Sequence, residues 1–185
     1  PHPDDEILGC GGLIQRLDKL GYQIILFAVT NGTASHPGSS LYTPEELNQI
    51  RPAETRAALE ALPLKQNILR IALDIQDGKV AEQRDVLQQH LQSYLQPNDV
   101  LISTFVHDGH PDHEITGQVT QQLATELHLP CIQVLIWAWH WATPGDTRIP
   151  WTVAHQLKLT EEELEYKSRA AWCFKSQIEL DPTID

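Results

Sequence analysis

Two short stretches hold most of the residues in this chain that are equipped for chemistry. The first is Pro1-His2-Pro3-Asp4-Asp5-Glu6, and the second is His107-Asp108-Gly109-His110-Pro111-Asp112-His113. Together they gather four imidazoles and five carboxylates on small or rigid spacers. Carboxylates packed this closely repel one another unless a cation or a shared proton offsets the charge. A divalent metal held between the two segments answers that requirement. Two imidazoles and one carboxylate make a common catalytic zinc set, with one position left open for water. His2 and Asp5, separated by Pro3 and Asp4, supply two ligands, and His110 or His113 supplies the third. Asp4 is then the spare carboxylate, placed to act as general base toward water activated by the metal. The histidine that is not a ligand can serve a developing oxyanion or a leaving amine. Asp112 can orient an imidazole through its ring N–H. These donors do not single out one ion, since such a site accepts Fe(II), Co(II) or Zn(II).

The elements that must position these residues alternate between helices and strands. Apolar residues at helical spacing predict a first helix over 6–20, stopped by Gly21 and opened by Gly9, Gly11 and Gly12, which permit close packing. That glycine run lacks the Lys-Ser/Thr of a phosphate-binding P-loop. A nearly continuous apolar run over 22–30 predicts a strand buried on both faces. Thr43 with Glu46 forms a capping-box pattern for a helix over 44–62, with Pro52 expected to kink or split it. A strand over 67–73, a helix over 80–95, a strand over 100–104, a helix over 114–127 and a strand over 132–139 follow. The stretch 140–159 is irregular and rich in Trp, and a last helix starts at Thr160 and runs to about residue 177. This order predicts an α/β sheet, mostly parallel, with helices on both faces. In such sheets ligands bind beyond the carboxyl ends of strands. The opening motif, residues 31–40, residues 74–78 and residues 107–113 all fall at such places. A motif like the opening one normally follows a buried strand, so a strand before residue 1 is expected, as is a tail beyond Asp185.

Length and composition bound the remaining possibilities. A chain of 185 residues with 41% hydrophobic and 21% charged residues predicts one soluble globular domain over 1–185. The net charge of -12 argues against nucleic acid or an anionic membrane as the main partner. It suits a carboxylate-lined cleft that concentrates cations. No apolar stretch approaches the roughly 20 residues of a membrane span. Cys10, Cys131 and Cys173 form no CxxC and no disulfide framework, which predicts reduced thiols and a cytoplasmic setting. The first helix carries Cys10 away from His2 and Asp5. Trp137, Trp139, Trp141 and Trp151, with His140, either fill a core or an interface between copies, or wall a sugar site.

The two motifs, read with Gly9-Cys10-Gly11-Gly12, resemble the PIG-L (LmbE-like) family of zinc-dependent N-acetylglucosaminyl deacetylases. Supporting matches are Thr30-Asn31-Gly32, Arg51 with Glu54, Asp77-Gly78, Lys167 with Ala170, and Ser176-Gln177. The resemblance covers nearly the whole chain and implies a Rossmann-like fold. It implies that His2, Asp5 and His113 bind Zn2+ (or Fe2+) and that Asp4 is the general base. It implies that His110 stabilises the oxyanion or protonates the amine, that Asp112 tunes a histidine, and that Arg51 and Asp77 contact substrate. The substrate class it implies is a small-molecule amino-sugar conjugate. The chain departs from the family pattern at Asp108, where some members carry Tyr, at Asn31 in place of Asp, and at Phe174 in place of His.

Overall fold

The computed structural model describes residues 1–183. In chain order the elements are α1 (Asp5–Lys19), β1 (Ile25–Ala28), α2 (Pro44–Glu60), β2 (Leu69–Ala72), a 3-10 turn (Val80–Gln83), α3 (Arg84–Tyr94), β3 (Leu101–Thr104), α4 (Pro111–Glu126), β4 (Cys131–Val134), α5 (Ala138–Trp141), a second 3-10 turn (Trp151–Val153), α6 (Glu161–Ala171) and α7 (Lys175–Ile178). The fold is of the α/β class with short parallel strands, β1 with β2 and β3 with β4. The chain divides into two compact units, one comprising residues 1–78 and 159–185 and the other residues 79–158. No helix among the described residues is long and apolar enough to cross a membrane.

In the first unit, α1 is set by one apolar face. Ile7 and Ile14 lie one above the other and pack with Ala58, Leu62, Ala170 and Phe174. The small residues of α1 allow α6 and its approach to come close: a side chain at Gly12 would strike Leu159, and one at Gly11 would press on the Lys167 stem. Arg16 fastens the contact with a two-point pair to Glu163, at 2.9 and 2.8 Å. Asp18 accepts the backbone N–H groups of Lys65 and Gln66 after α2. The capping box of Thr43 and Glu46 is present, and α2 continues unbroken through Pro52. The strand expected over 22–30 shortens to β1, which is half-buried; full burial begins beyond it at Val29 and Thr30. The helix expected over 160–177 is interrupted after α6, because Phe174 turns inward to the core and Ser176 is bound by Glu54 through its N–H and its hydroxyl.

In the second unit, β3 runs straight into the loop that carries the second motif. The helix expected from residue 114 starts earlier, at Pro111, because the His110 side chain accepts the Asp112 N–H as an N-cap and Pro111 sits where its missing N–H costs nothing. The strand expected over 132–139 ends at Val134. Its continuation is bent into α5, because the Asp108 carboxylate takes the N–H groups of Ile136, Trp137 and Ala138 out of any ladder. Helix α4 lies close on β3: a Cβ at Gly117 would meet the Thr104 carbonyl oxygen at 2.5 Å and the Phe105 carbonyl carbon at 3.2 Å. Alanine in a helix interior normally stabilises relative to glycine by about 1 kcal/mol. Here the sign should reverse. Gly117→Ala is expected to lower stability by about 1–3 kcal/mol through overpacking against backbone, read as a lower urea midpoint with an unchanged slope.

Candidate active site

One group of candidate residues lies in the first unit. His2 stands just ahead of α1 and Asp5 opens it. Asp5 Oδ2 accepts the His2 backbone N–H at 2.9 Å and lies 3.7 Å from His2 Nδ1. Two ligands of one tetrahedral ion, each about 2.0–2.2 Å from it, stand roughly 3.3–3.6 Å apart. This pair is therefore spaced to share an ion after a shift of a few tenths of an ångström. The other ring nitrogen, Nε2, lies 3.1 Å from Asp77 Oδ1. A carboxylate behind a histidine in this way fixes the ring and its tautomer in metal sites. Asp77 also accepts the Ala34 N–H at 2.7 Å. Burial opposes ionisation of Asp77, but the His2 and Ala34 hydrogen bonds outweigh it and hold the carboxyl at about 2.

Asp4 caps α1 with φ 106° and ψ -29°, in the left-handed region. A non-glycine residue pays on the order of 1–3 kcal/mol for such a conformation, which persists only where the surroundings impose it. Here Gln177 grips the Pro3 carbonyl from α7 at 2.6 Å, and the Asp4 N–H donates to Glu6 Oε2. Burial, and then the charges of Asp5 and Glu6, push the Asp4 carboxyl up to about 8. Burial likewise lifts Glu6 to about 7, and its Oε1 is buried with no hydrogen-bond partner among the described residues. These are the properties of a carboxylate cluster whose charge a cation would offset. The Cys10 thiol is pushed by burial up to about 12, so it is protonated and a poor ligand.

Arg51 is almost fully buried. Its guanidinium donates to the Gly32 carbonyl at 2.5 Å, to Ser35 Oγ at 2.8 Å and, through Nε, to Ser176 Oγ at 3.3 Å. Both residues expected to contact substrate are thus tied into the protein, Arg51 under the loop after β1 and Asp77 against His2.

A second group of candidate residues lies in the second unit. His113 and Asp108 are completely buried, and His113 Nδ1 lies 2.7 Å from Asp108 Oδ2. The carboxylate can only accept, so the ring carries its proton on Nδ1 and presents the Nε2 lone pair. His110 is held in the opposite sense: its Nδ1 accepts the Asp112 N–H at 3.2 Å, which puts the ring proton on Nε2. The two rings lie 4.9 Å apart. Thr104, at the end of β3, holds the His113 carbonyl at 2.8 Å. The Asp112 carboxylate accepts the Val80 N–H at 3.3 Å. Burial alone would raise the Asp108 carboxyl, yet the His113 hydrogen bond and three backbone N–H groups hold it below its ordinary value. The Trp137 ring packs at a tilt against His110, centroids 5.2 Å apart, and against His140, 5.5 Å apart. Trp137 and Trp139 are 44% and 71% exposed, so neither fills the core.

The sequence reading missed the roles of Asp108 and Asp77 as the carboxylates behind His113 and His2. Asp108 stood out only as a departure from a family pattern, since its backbone partners lie 28 to 30 residues away.

A family model described as PIG-L, GlcNAc-PI de-N-acetylase, matches residues 1–124. The chain is 29% identical over 121 residues to a diacetylchitobiose deacetylase of Thermococcus kodakarensis, a match that covers 63% of this chain and 44% of that protein. It thus spans less than half the length of that curated relative. Among solved structures, the N,N'-diacetylchitobiose deacetylase of Pyrococcus horikoshii superposes with a TM-score of 0.69 at 21% identity, over 98% of this chain and 69% of that one. The zinc-inhibited form of teicoplanin deacetylase Orf2 superposes with a TM-score of 0.68 at 16% identity, over 96% and 83%.

Asparagine at 108 keeps one oxygen for two of the four donors and turns an NH2 group toward the other two, either Trp137 N–H and His113 Nδ1 or the N–H groups of Ile136 and Ala138. Asp108→Asn is expected to cost about 1–3 kcal/mol for each buried donor it leaves unsatisfied. Urea unfolding measures the loss. Because the Asp108 pKa is depressed in the folded state, the wild-type advantage is present above the ordinary Asp pKa and fades as pH falls through the folded value.

Proposed function

Because the chain belongs to the PIG-L family, described as GlcNAc-PI de-N-acetylase, we propose that it removes an N-acetyl group from an N-acetylglucosamine-type conjugate. One water is consumed, the amide C–N bond breaks, and acetate and a free amine leave. His2, Asp5 and His113 are the residues assigned to hold a divalent ion, zinc or iron(II). When bound, that ion supplies Lewis acidity toward water and the amide carbonyl.

The observation that carries this reading is the opposite setting of the two histidines on the second segment. A ring protonated on Nδ1, as His113 is against Asp108, offers the Nε2 lone pair a metal needs. A ring whose Nδ1 accepts a backbone N–H, as His110 does, offers an Nε2–H instead. That is a donor for an oxyanion or for the departing nitrogen. Asp4 takes the proton from the attacking water. Burial and its acidic neighbours raise its carboxyl, which favours taking up a proton, and a cation held by His2 and Asp5 would keep it ionised until then. Asp112 serves His110 through its backbone N–H and fixes the start of α4. Asp77 holds His2, and Arg51 shapes the loop after β1 on which a sugar would lean. The three free thiols support a cytoplasmic setting for an enzyme with a small-molecule substrate.

Acetate release from N-acetylglucosamine conjugates, set against other amides, tests the reaction. Asp4→Asn is expected to lower kcat by roughly 10²–10⁴-fold while bound metal is retained. His113→Ala is expected to lose the metal itself, and Asp108→Asn to weaken metal binding by about 10–100-fold, both read by metal content after dialysis. An Asp4→Asn variant with undiminished turnover would remove the base assignment. Failure of the metal-loaded protein to release acetate from any N-acetylated amino sugar would overturn the reaction.

A further inference from the structure

The turn ahead of α1 is held from outside at three points, all within the first unit. The Pro1 carbonyl accepts the Thr30 N–H at 3.0 Å and the Thr30 hydroxyl at 3.2 Å. The Pro3 ring is buried against the loop after β1, where a side chain on Gly32 would come within 3.3 Å of its Cδ. The Pro3 carbonyl accepts the Gln177 side-chain amide at 2.6 Å, from 174 residues away in the chain. The first two contacts fix where the turn lies. The third acts on one torsion. The planar peptide unit between Pro3 and Asp4 carries the Pro3 oxygen on one edge and the Asp4 N–H on the other. Gln177 holds the oxygen, and Glu6 Oε2 holds the N–H at 3.1 Å.

The φ of Asp4, 106°, is the rotation of that same unit about the N–Cα bond. A residue with a side chain prefers negative φ, so the unit is biased to turn over. Turning over carries the Pro3 oxygen off Gln177 and the N–H off Glu6. It also tilts the N–Cα bond and, with it, the bond to Cβ that aims the Asp4 carboxylate. A reacting group misplaced by about 1 Å can lose about 10²-fold in rate. Gln177 is fixed in its turn. Its helix, α7, has four residues, too few to hold a side chain by its own stability. The preceding residue, Ser176, is buried and gives Glu54 both its N–H and its hydroxyl, each at 2.7 Å, while accepting Arg51 Nε at 3.3 Å.

We propose that Gln177 is a positioning residue for the proton transfer assigned to Asp4. It locks the Pro3–Asp4 peptide in the setting that aims the carboxylate, and Glu54, through Ser176, anchors the lock. The effect on turnover rests on the deacetylase reading; the lock itself does not.

The lock is tested by urea unfolding of the purified protein. Asp4→Gly and Asp4→Ala are each made with Gln177 kept and with Gln177→Met, which preserves length and removes the donor. Glycine adopts positive φ freely and alanine does not. With Gln177 kept, Asp4→Gly is therefore expected to unfold at a higher urea concentration than Asp4→Ala. With Gln177→Met that advantage is expected to vanish or reverse, because the peptide is free to turn over. An advantage of equal size in both backgrounds, or none in either, overturns the lock. Gln177→Glu, which sets an acceptor against the Pro3 carbonyl, decides the matter if Gln177→Met does not fold. The positioning role is tested by acetate release from an N-acetylglucosamine conjugate. Gln177→Met is expected to lower kcat by at least about tenfold, with KM changed by less than about twofold and bound metal retained. In the Asp4→Asn background the same change is expected to lower kcat by less than about twofold, since a residue acting through the base has nothing left to act on. An equal loss in both backgrounds, the mark of a merely structural residue, overturns the role, as does an unchanged kcat. Absence of acetate from the metal-loaded wild type overturns the deacetylase reading instead, and the urea comparison still decides the lock.

Discussion

A buried carboxylate meets four donors in the second unit, and most of what matters there depends on it. Asp108 accepts from Ile136, Trp137 and Ala138 along the backbone and from His113 Nδ1. Burying an unpaired carboxylate costs several kcal/mol, so the group is retained only because its oxygens are satisfied. In being satisfied it does two things at once. It ends β4 by drawing three successive N–H groups into a turn, and it sets which nitrogen of His113 carries the proton. The Trp141 indole then closes on the Asp108 carbonyl, so the same residue also fixes the end of α5.

The first unit solves a different electrostatic problem. Asp4, Asp5 and Glu6 are adjacent, at the start of a helix whose N-terminal dipole favours negative charge, but burial outweighs that help for Asp4 and Glu6. The backbone of Asp4 is held in a conformation that costs energy, under the grip of Gln177 on Pro3. Strain and crowded acids of this kind gather at functional sites. The buried guanidinium of Arg51, placed among Gly32, Ser35 and Ser176, is the nearby positive counterpart within the unit.

Much of the fold was legible because it rests on local rules. The apolar face of α1, the capping boxes at Thr43 and Thr160 and the order of helices and strands follow from short-range spacing. The two reactive segments were also visible, since their residue types are costly anywhere else. What escaped the reading depends on distance. Asp108 bends the chain 28 to 30 residues downstream, and no periodicity in 132–139 reveals that a carboxylate elsewhere will take its N–H groups. Phe174 ends α6 by entering a core that α1 and α2 build. Asp77 reads as a polar loop residue until His2 is placed beside it. His110 could be told from His113 as a donor only after each ring's Nδ1 partner was known.

The Asp108 clamp also sets a boundary for how this scaffold can diversify. Up to Ala138, any insertion or exchange of loop sequence displaces N–H groups bound to the Asp108 carboxylate, among them that of Trp137, which shares Oδ2 with His113, and so alters the basicity of a candidate ligand. Beyond Trp141, the segment that carries Asp146, Arg148 and Trp151 makes short-range bonds of its own, such as Trp151 Nε1 to the Asp146 carbonyl at 2.8 Å, and is anchored by Ile149 in a core with Phe105 and Ala138. Grafts that begin after residue 141 and keep an apolar side chain at 149 therefore leave the Asp108 bonds and the His113 tautomer in place, and grafts that begin earlier must bring their own carboxylate.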